Sequence, residues 1–163
     1  MPTDLIIRAA TSDDATAIAA IWNHYIRHTA VTFNSQEKTE QDVAADIASK
    51  SGAFWVASEG DTIGGFATYG AFRGGVGYAR TKEHTIQLDP AFSGRGAGRA
   101  LMDVLCAHAK EQGIHSLWAG ISEENPAGVA FHRAIGFEHV AILPEVGFKF
   151  DRWMDLVLMQ KFL

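Results

Sequence analysis

Between Pro90 and Leu105 the chain reads PAFSGRGAGRALMDVL, with Gly94, Gly96 and Gly98 at alternate positions running straight into an apolar repeat. Glycine weakens a helix start unless the backbone there must turn left-handed or come close to something. The first N–H groups of a helix lack intrahelical partners, and the macrodipole adds partial positive charge at that end. Glycines before such an end let a phosphate approach the backbone, and Arg95 and Arg99 bring formal charge to the same place. The spacing describes a diphosphate cradle or, more plainly, a tight turn with solvated arginines. Two other phosphate motifs are excluded. Walker A needs a closing Gly-Lys-Ser/Thr, and a G-x-G-x-x-G fingerprint from Gly94 would need glycine where Arg99 stands.

Other residues that could carry chemistry flank this loop. Glu83 and His84 lie side by side in YARTKEHTIQL, and strand alternation sends them to opposite faces. His84 shares its side with Ile86 and Leu88, as a partly buried structural histidine would. Asn125-Pro126 suits an N-cap and first helical position, with His132 two turns on. Cys106 is the single cysteine. It falls in a helix interior, where a small buried hydrophobe is the expected role.

The elements that must position these groups follow from periodicity and punctuation. Ile6–Ala10 is expected as a strand. A possible Thr11/Asp14 capping box precedes Ile18, Ile21, Trp22 and Tyr25 at helical spacing. HTAVTFNSQEK has no period and is expected as a loop. A second possible box, Thr39/Asp42, precedes Val43 and Ile47, and Gly52 stops that helix. AFWVAS and TIGGFATYGAF form two strands around a tight EGD turn. RGGVG is a bent connection, and YARTKEHTIQL is one longer strand ending at Pro90. After the glycines, Leu101, Val104, Leu105 and Ala109 give a helix face that ends at Gly113. HSLWAGIS is the next strand. Ala127, Ala130, Phe131 and Ala134 give the following helix its buried stripe, closed by Gly136. FEHVAIL and RWMDLVLMQKF are the last strands, split by PEVGFKFD. The order β-α-α-β-β-β-α-β-α-β-β predicts an α/β or α+β chain with a mixed sheet.

Composition bounds the function. With 163 residues, 47% hydrophobic and 20% charged, one domain with a real core is expected, spanning 1–163. The net charge of -5 argues against nucleic acid as a partner. No apolar run reaches membrane-spanning length, MPTDLIIRAATSDD lacks the pattern of a signal peptide, and no metal-ligand spacing stands out. A cytoplasmic setting is expected.

Strand, x-x-G-x-G, helix, strand and then NPAGVAFHRAIGF together resemble the GNAT superfamily of acyl-CoA-dependent N-acetyltransferases. The family's Gln/Arg-x-x-Gly-x-Gly/Ala falls on Ser93, Gly96 and Gly98, with Ser93 departing from the usual first residue. WNHYIRHTAVTFN, YARTKEHTIQLDP and LPEVGFKFDRWMDLVLMQ narrow the resemblance to the phosphinothricin and methionine sulfone/sulfoximine acetyltransferases, over essentially the whole chain. It implies a GNAT-like fold, a central mixed, mostly antiparallel sheet flanked by helices, and acetyl-CoA as cosubstrate. The loop Ser93, Gly94, Arg95, Gly96, Ala97, Gly98 and Arg99 would hold the pyrophosphate. Backbone of Ile86 and Leu88 would pair with the pantetheine, N–H groups near Gln87 and Leu88 would face the oxyanion, and Asn125 would contact the cofactor or cap its own helix.

Acetyl transfer to an amine needs a base, a polarised carbonyl and a tolerated thiolate. By resemblance Glu83 is the base, acting through a water, and His132 is a general acid, a positioning group or a packing residue. The acceptor would be a small zwitterion with a polar head, which arginines suit. Arg73, Tyr78, Arg80, Phe33 and Phe148 are the candidate pocket residues, and Lys82 stands where the family has an apolar residue. A homodimer and a detoxification role follow from the resemblance. Competing readings keep the fold with a polyamine or protein N-terminus as acceptor, or keep acetyl-CoA binding without catalysis.

Overall fold

The computed structural model describes residues 4–163; Met1–Thr3, the first residues of the stretch MPTDLIIRAATSDD, lie outside the described residues. Among the described residues the elements are β1 (Leu5–Ala9), α1 (Ala15–His28), α2 (Glu40–Ser49), β2 (Phe54–Glu59), β3 (Thr62–Ala71), β4 (Thr81–Leu88), α3 (Ala97–Glu111), β5 (Ser116–Ser122), α4 (Pro126–Ala134), β6 (Glu138–Lys149) and β7 (Arg152–Phe162). The order matches the sequence expectation. The strands lie in one mixed sheet, β1-β2-β3-β4-β5-β7-β6. β4 and β5 pair parallel, with Thr81–Glu83 opposite Ser116–Trp118, while β1–β2, β2–β3, β5–β7 and β6–β7 are antiparallel.

The chain packs as two compact units, and α1 and β4 each pass from one to the other, at Trp22/Asn23 and Glu83/His84. In the first unit β2 is buried from Phe54 to Ser58. Phe66 stacks on Phe54 at 5.7 Å and meets Trp22 at 4.8 Å. α3 packs on β1 and β2 and buries Leu101, Met102, Leu105 and Ala109. Full burial of each large side chain is worth about 1.5–3 kcal/mol. The Thr39/Asp42 box forms as expected: Thr39 Oγ1 accepts from the Asp42 N–H at 3.0 Å, and Asp42 accepts from the Thr39 N–H at 2.9 Å. The Thr11/Asp14 box instead caps a 3-10 turn, Ser12–Asp14, that leads into α1. There the Arg8 guanidinium makes two 2.8 Å bonds to Asp14 and holds its carboxyl below the usual range.

In the second unit Leu117, Ala119 and Ile121 of β5 are buried with Met154, Val157 and Met159 of β7, and α4 packs on β5 and β6.

Four expectations are corrected. β4 starts at Thr81, because Gly75 at φ +106 turns the chain into a 3-10 helix, Val76–Tyr78, that holds Tyr78. On α3 Val104 is exposed and Met102 takes its place in the buried face. On α4 the expected stripe is out of phase: Ala127, Ala130 and Ala134 are exposed, Phe131 is half-buried, and His132 is the buried residue. PEVGFKFD does not separate two strands. β6 runs through it, with its register slipping between Leu143 and Gly147, and the hairpin turns at Phe150-Asp151. Both turn residues are left-handed, φ 54 and 57, where Asn-Gly would ordinarily signal such a turn. Lys149 and Arg152 lie 5.1 Å and 5.6 Å from the centre of the Phe150 ring.

Candidate active site

The glycine loop belongs to the first unit. After β4, Asp89 caps a 3-10 turn, Pro90–Phe92, by accepting from the Ala91 N–H at 2.9 Å. The turn is seated on β3, where two glycines make room. A Cβ on Gly64 would come within 2.2 Å of the Phe92 ring, and one on Gly65 within 2.5 Å of Leu88. The sequence reading had assigned these glycines no purpose, although GG inside a strand is a signal of close approach.

Gly94 and Gly96 then adopt φ +73 and +82, and Gly96 is the N-cap of α3, its carbonyl accepting from the Ala100 N–H at 3.0 Å. Ala97 and Gly98 are buried in the first helical turn, while Ser93 and Arg99 are exposed. A Cβ on Gly94 or Gly96 meets no atom within 4 Å, so the turn is open on its outer side and glycine is required by backbone conformation alone. This turn at a helix N-terminus fits the diphosphate of an acyl-CoA. Arg95 is already engaged: it pairs with Glu59 and lies over the Phe92 ring, 4.9 Å from its centre. Its charge is therefore less available than the spacing suggests. His84 is buried, as a structural histidine, and Ile86, Gln87 and Leu88 are half-buried.

The second unit holds the acid–base candidates. Glu83 registers with Trp118 across the parallel pair, so both share a face, and Gly120 lies two residues on along the same face. A Cβ on Gly120 would stand 3.2 Å from Glu83 Oε1, a tight contact, so the bare glycine gives the carboxylate room there. Glu83 remains exposed as a residue, but protein crowds its carboxyl end, and this desolvation pushes its pKa above the ordinary glutamate value. Phe72 stacks on Trp118 at 5.3 Å, Tyr78 meets Phe72 at 6.4 Å, and Arg73 lies 5.5 Å from the centre of the Tyr78 ring. An aromatic row thus joins the Glu83 face to Arg73 and Tyr78. Phe72 and Trp118 escaped the sequence reading, because only the β4–β5 register puts Trp118 beside Glu83. Arg80 is exposed, and its carbonyl accepts from the His115 N–H at 2.8 Å.

His132 Nδ1 lies 2.7 Å from the Gly128 carbonyl. A carbonyl only accepts, so Nδ1 carries the proton and donates, and the neutral ring keeps its lone pair on Nε2. Burial lowers the His132 pKa, outweighing that hydrogen bond. Asn125 Oδ1 accepts from the Gly128 N–H at 3.0 Å, so Asn125 caps its own helix. Phe33 packs on Gly147, whereas Phe148 points to the other face of β6, exposed and 5.0 Å from Trp153. The structure does not bring these two phenylalanines into one wall.

The comparisons make the class definite: a family model described as the acetyltransferase (GNAT) domain matches residues 7–158, and the chain belongs to that family. It is 36% identical over 157 residues to the L-amino acid N-acyltransferase MnaT of Escherichia coli (strain K12), covering 94% of this chain and 91% of that protein. It is 35% identical over 159 residues to the L-methionine sulfoximine/L-methionine sulfone acetyltransferase of Salmonella typhimurium, covering 96% and 93%. A phosphinothricin acetyltransferase from Sinorhizobium meliloti, solved in complex with acetyl-CoA, aligns with a TM-score of 0.91 at 29% identity over 98% of this chain and 88% of that one.

Proposed function

We propose that the protein transfers acetyl from acetyl-CoA to the α-amine of a small amino-acid analogue, with methionine sulfone, methionine sulfoximine and phosphinothricin as the candidate acceptors. Transfer is direct, in a ternary complex. The desolvated Glu83 carboxylate over Gly120, on the face shared with Trp118, carries the reading. The names of the relatives supply the acceptor class.

Ser93, Gly94, Arg95, Gly96, Ala97, Gly98 and Arg99 would hold the diphosphate on the open turn before α3. Backbone of Ile86 and Leu88 would align the pantetheine as an added strand. N–H groups at Gln87 and Leu88 would face the thioester oxygen. With Oδ1 committed to its cap, Asn125 offers Nδ2. When bound, acetyl-CoA supplies an acetyl group activated as a thioester. Glu83 takes a proton from the acceptor ammonium through a water, and its raised pKa brings base strength closer to that task. His132 holds its proton at Nδ1, donated to the Gly128 carbonyl. That favours a positioning role near the sulfur over a resting general acid. Arg73 and Arg80 suit the carboxylate and oxygen-bearing head of the acceptor, and Tyr78 and Phe33 suit its apolar part. Cys106, half-buried on α3, has no part in this scheme.

The test is thiol release from acetyl-CoA with methionine sulfone, methionine sulfoximine, phosphinothricin, methionine and spermidine. Turnover is expected on the first three, and spermidine as the best acceptor would sink the assignment.

A single acetyltransferase domain is proposed, since the family match runs through both units. A cytoplasmic setting suits the lone thiol. A homodimer is proposed on the exposed apolar side chains of β6 and its turn, Val140, Ile142, Val146, Phe148 and Phe150, joined by Trp153. Sedimentation at micromolar concentration is expected to give twice the chain mass, with Ile142→Lys shifting it to the monomer. A wild-type monomer at that concentration would remove the proposal.

A further inference from the structure

Lys149 is 4% exposed, in a segment whose sequence a strand does not demand. Its ammonium donates to the Thr29 carbonyl at 2.7 Å and the Thr32 carbonyl at 2.8 Å, and lies 5.1 Å from the centre of the Phe150 ring. Among the described residues no carboxylate forms an ion pair with it. Burying a cation without a counter-ion is costly unless its donors are well used. Here they are spent on one loop. Thr29 follows the last residue of α1, so the ammonium also sits at the negative end of that helix. Thr32 directly precedes Phe33.

The far end of the same loop is held from the same strand. The Phe33 ring occupies the space a side chain at position 147 would fill; a Cβ there would stand 2.4 Å from Phe33 Cδ2. Positions 147 and 149 share one face of β6, so the loop is pinned at two adjacent points of a single rigid element. Within the loop, Thr29 Oγ1 donates to the Tyr25 carbonyl at 2.7 Å and accepts from the Val31 N–H at 3.2 Å, and Thr32 Oγ1 accepts from the Asn34 N–H at 3.3 Å. No regular ladder supports it. Its conformation comes from these point contacts.

We infer that Lys149 is a positioning residue for the acceptor: its ammonium, with the bare Gly147 beside it, fixes loop 29–33 and so sets where Phe33 stands. The inference rests on Phe33 lining the acceptor pocket. Directed donors are the reason for a lysine here. A methionine would fill the same volume but leave two carbonyls without their donor, while arginine keeps charge and donors.

The experiment titrates the best-turning acceptor at saturating acetyl-CoA with the full chain and its Lys149→Met, Lys149→Arg, Gly147→Ala and Phe33→Ala variants. Acetyl-CoA affinity is measured separately by calorimetry. Lys149→Met is expected to raise the acceptor KM by about tenfold, the order expected when a hydrogen-bonded charge is removed. Acetyl-CoA affinity stays unchanged, Lys149→Arg restores most of the loss, and Gly147→Ala shifts KM in the same direction. A wild-type acceptor KM in folded Lys149→Met overturns the inference, as does an equal loss of affinity for both substrates. Should Lys149→Met not fold, a wild-type acceptor KM in folded Gly147→Ala overturns the inference, and a raised one with wild-type acetyl-CoA affinity supports it. Phe33→Ala separates the two layers: an unchanged acceptor KM there removes the pocket wall itself, whereas a raised one beside an inert Lys149→Met removes only the clamp.

Discussion

Glu83→Gln lowers kcat/KM by about two to three orders of magnitude at pH 7, the range that a positioned base contributes. Acetyl-CoA affinity is unchanged, because the glycine turn is untouched. The pH profile carries the sharper signature. A base works when deprotonated, and desolvation raises the Glu83 pKa, so the acid limb of wild-type kcat/KM lies above the ordinary glutamate range. The Gln variant lacks that limb. Stability moves the other way. A carboxyl whose folded pKa is raised binds its proton more tightly in the folded state, so its favourable contribution is present at low pH and is lost as pH rises through the folded value. Glu83→Gln is therefore at least as heat-stable as wild type at pH 8. Retention of most activity with the acid limb intact would give the proton to another group.

Gly96→Ala weakens acetyl-CoA binding by about tenfold. At φ +82 an L-residue costs on the order of 1–2 kcal/mol, and 1.4 kcal/mol is a factor of ten. Nothing lies within 4 Å of the added Cβ, so the loss comes from backbone conformation and not from a clash with the protein. The variant relaxes the turn that aims the first N–H groups of α3. Calorimetric titration with acetyl-CoA measures the effect, and an unchanged dissociation constant would show that the diphosphate does not use this turn.

Much of this arrangement was legible because it is local. Capping boxes, the N-cap at Asn125 and the glycine loop are written in adjacent residues, and each formed where expected, apart from the 3-10 turn at Ser12–Asp14. The face of β4 was legible too: alternation separated Glu83 from His84, and His84 is buried while Glu83 is exposed. What stayed hidden depends on partners distant in sequence. Trp118 joins Glu83 only through a parallel register, and no pattern within HSLWAGIS announces that pairing. Alanines misled the reading of α4, since they suit either face of a helix, and packing on β5 and β6 buries His132 instead. Phe150-Asp151 lacks the Asn-Gly or Asp-Gly pair that marks a two-residue hairpin, so the sequence does not announce the turn where it falls. Loop 29–33 has no period, and two of its anchors, Lys149 and Gly147, lie over a hundred residues later.

β6 is the last strand of the sheet, and its twelve residues include a long run of exposed apolar side chains. Such an edge is ordinarily a template on which further strands add without limit. Here Pro144 contributes no N–H, Glu145 is left-handed at φ +50, and the register breaks between Leu143 and Gly147. The ladder offered to an incoming strand is cut into two short pieces that do not lie in phase. The chain can carry an oily rim on its outermost strand and still resist growing into fibrils.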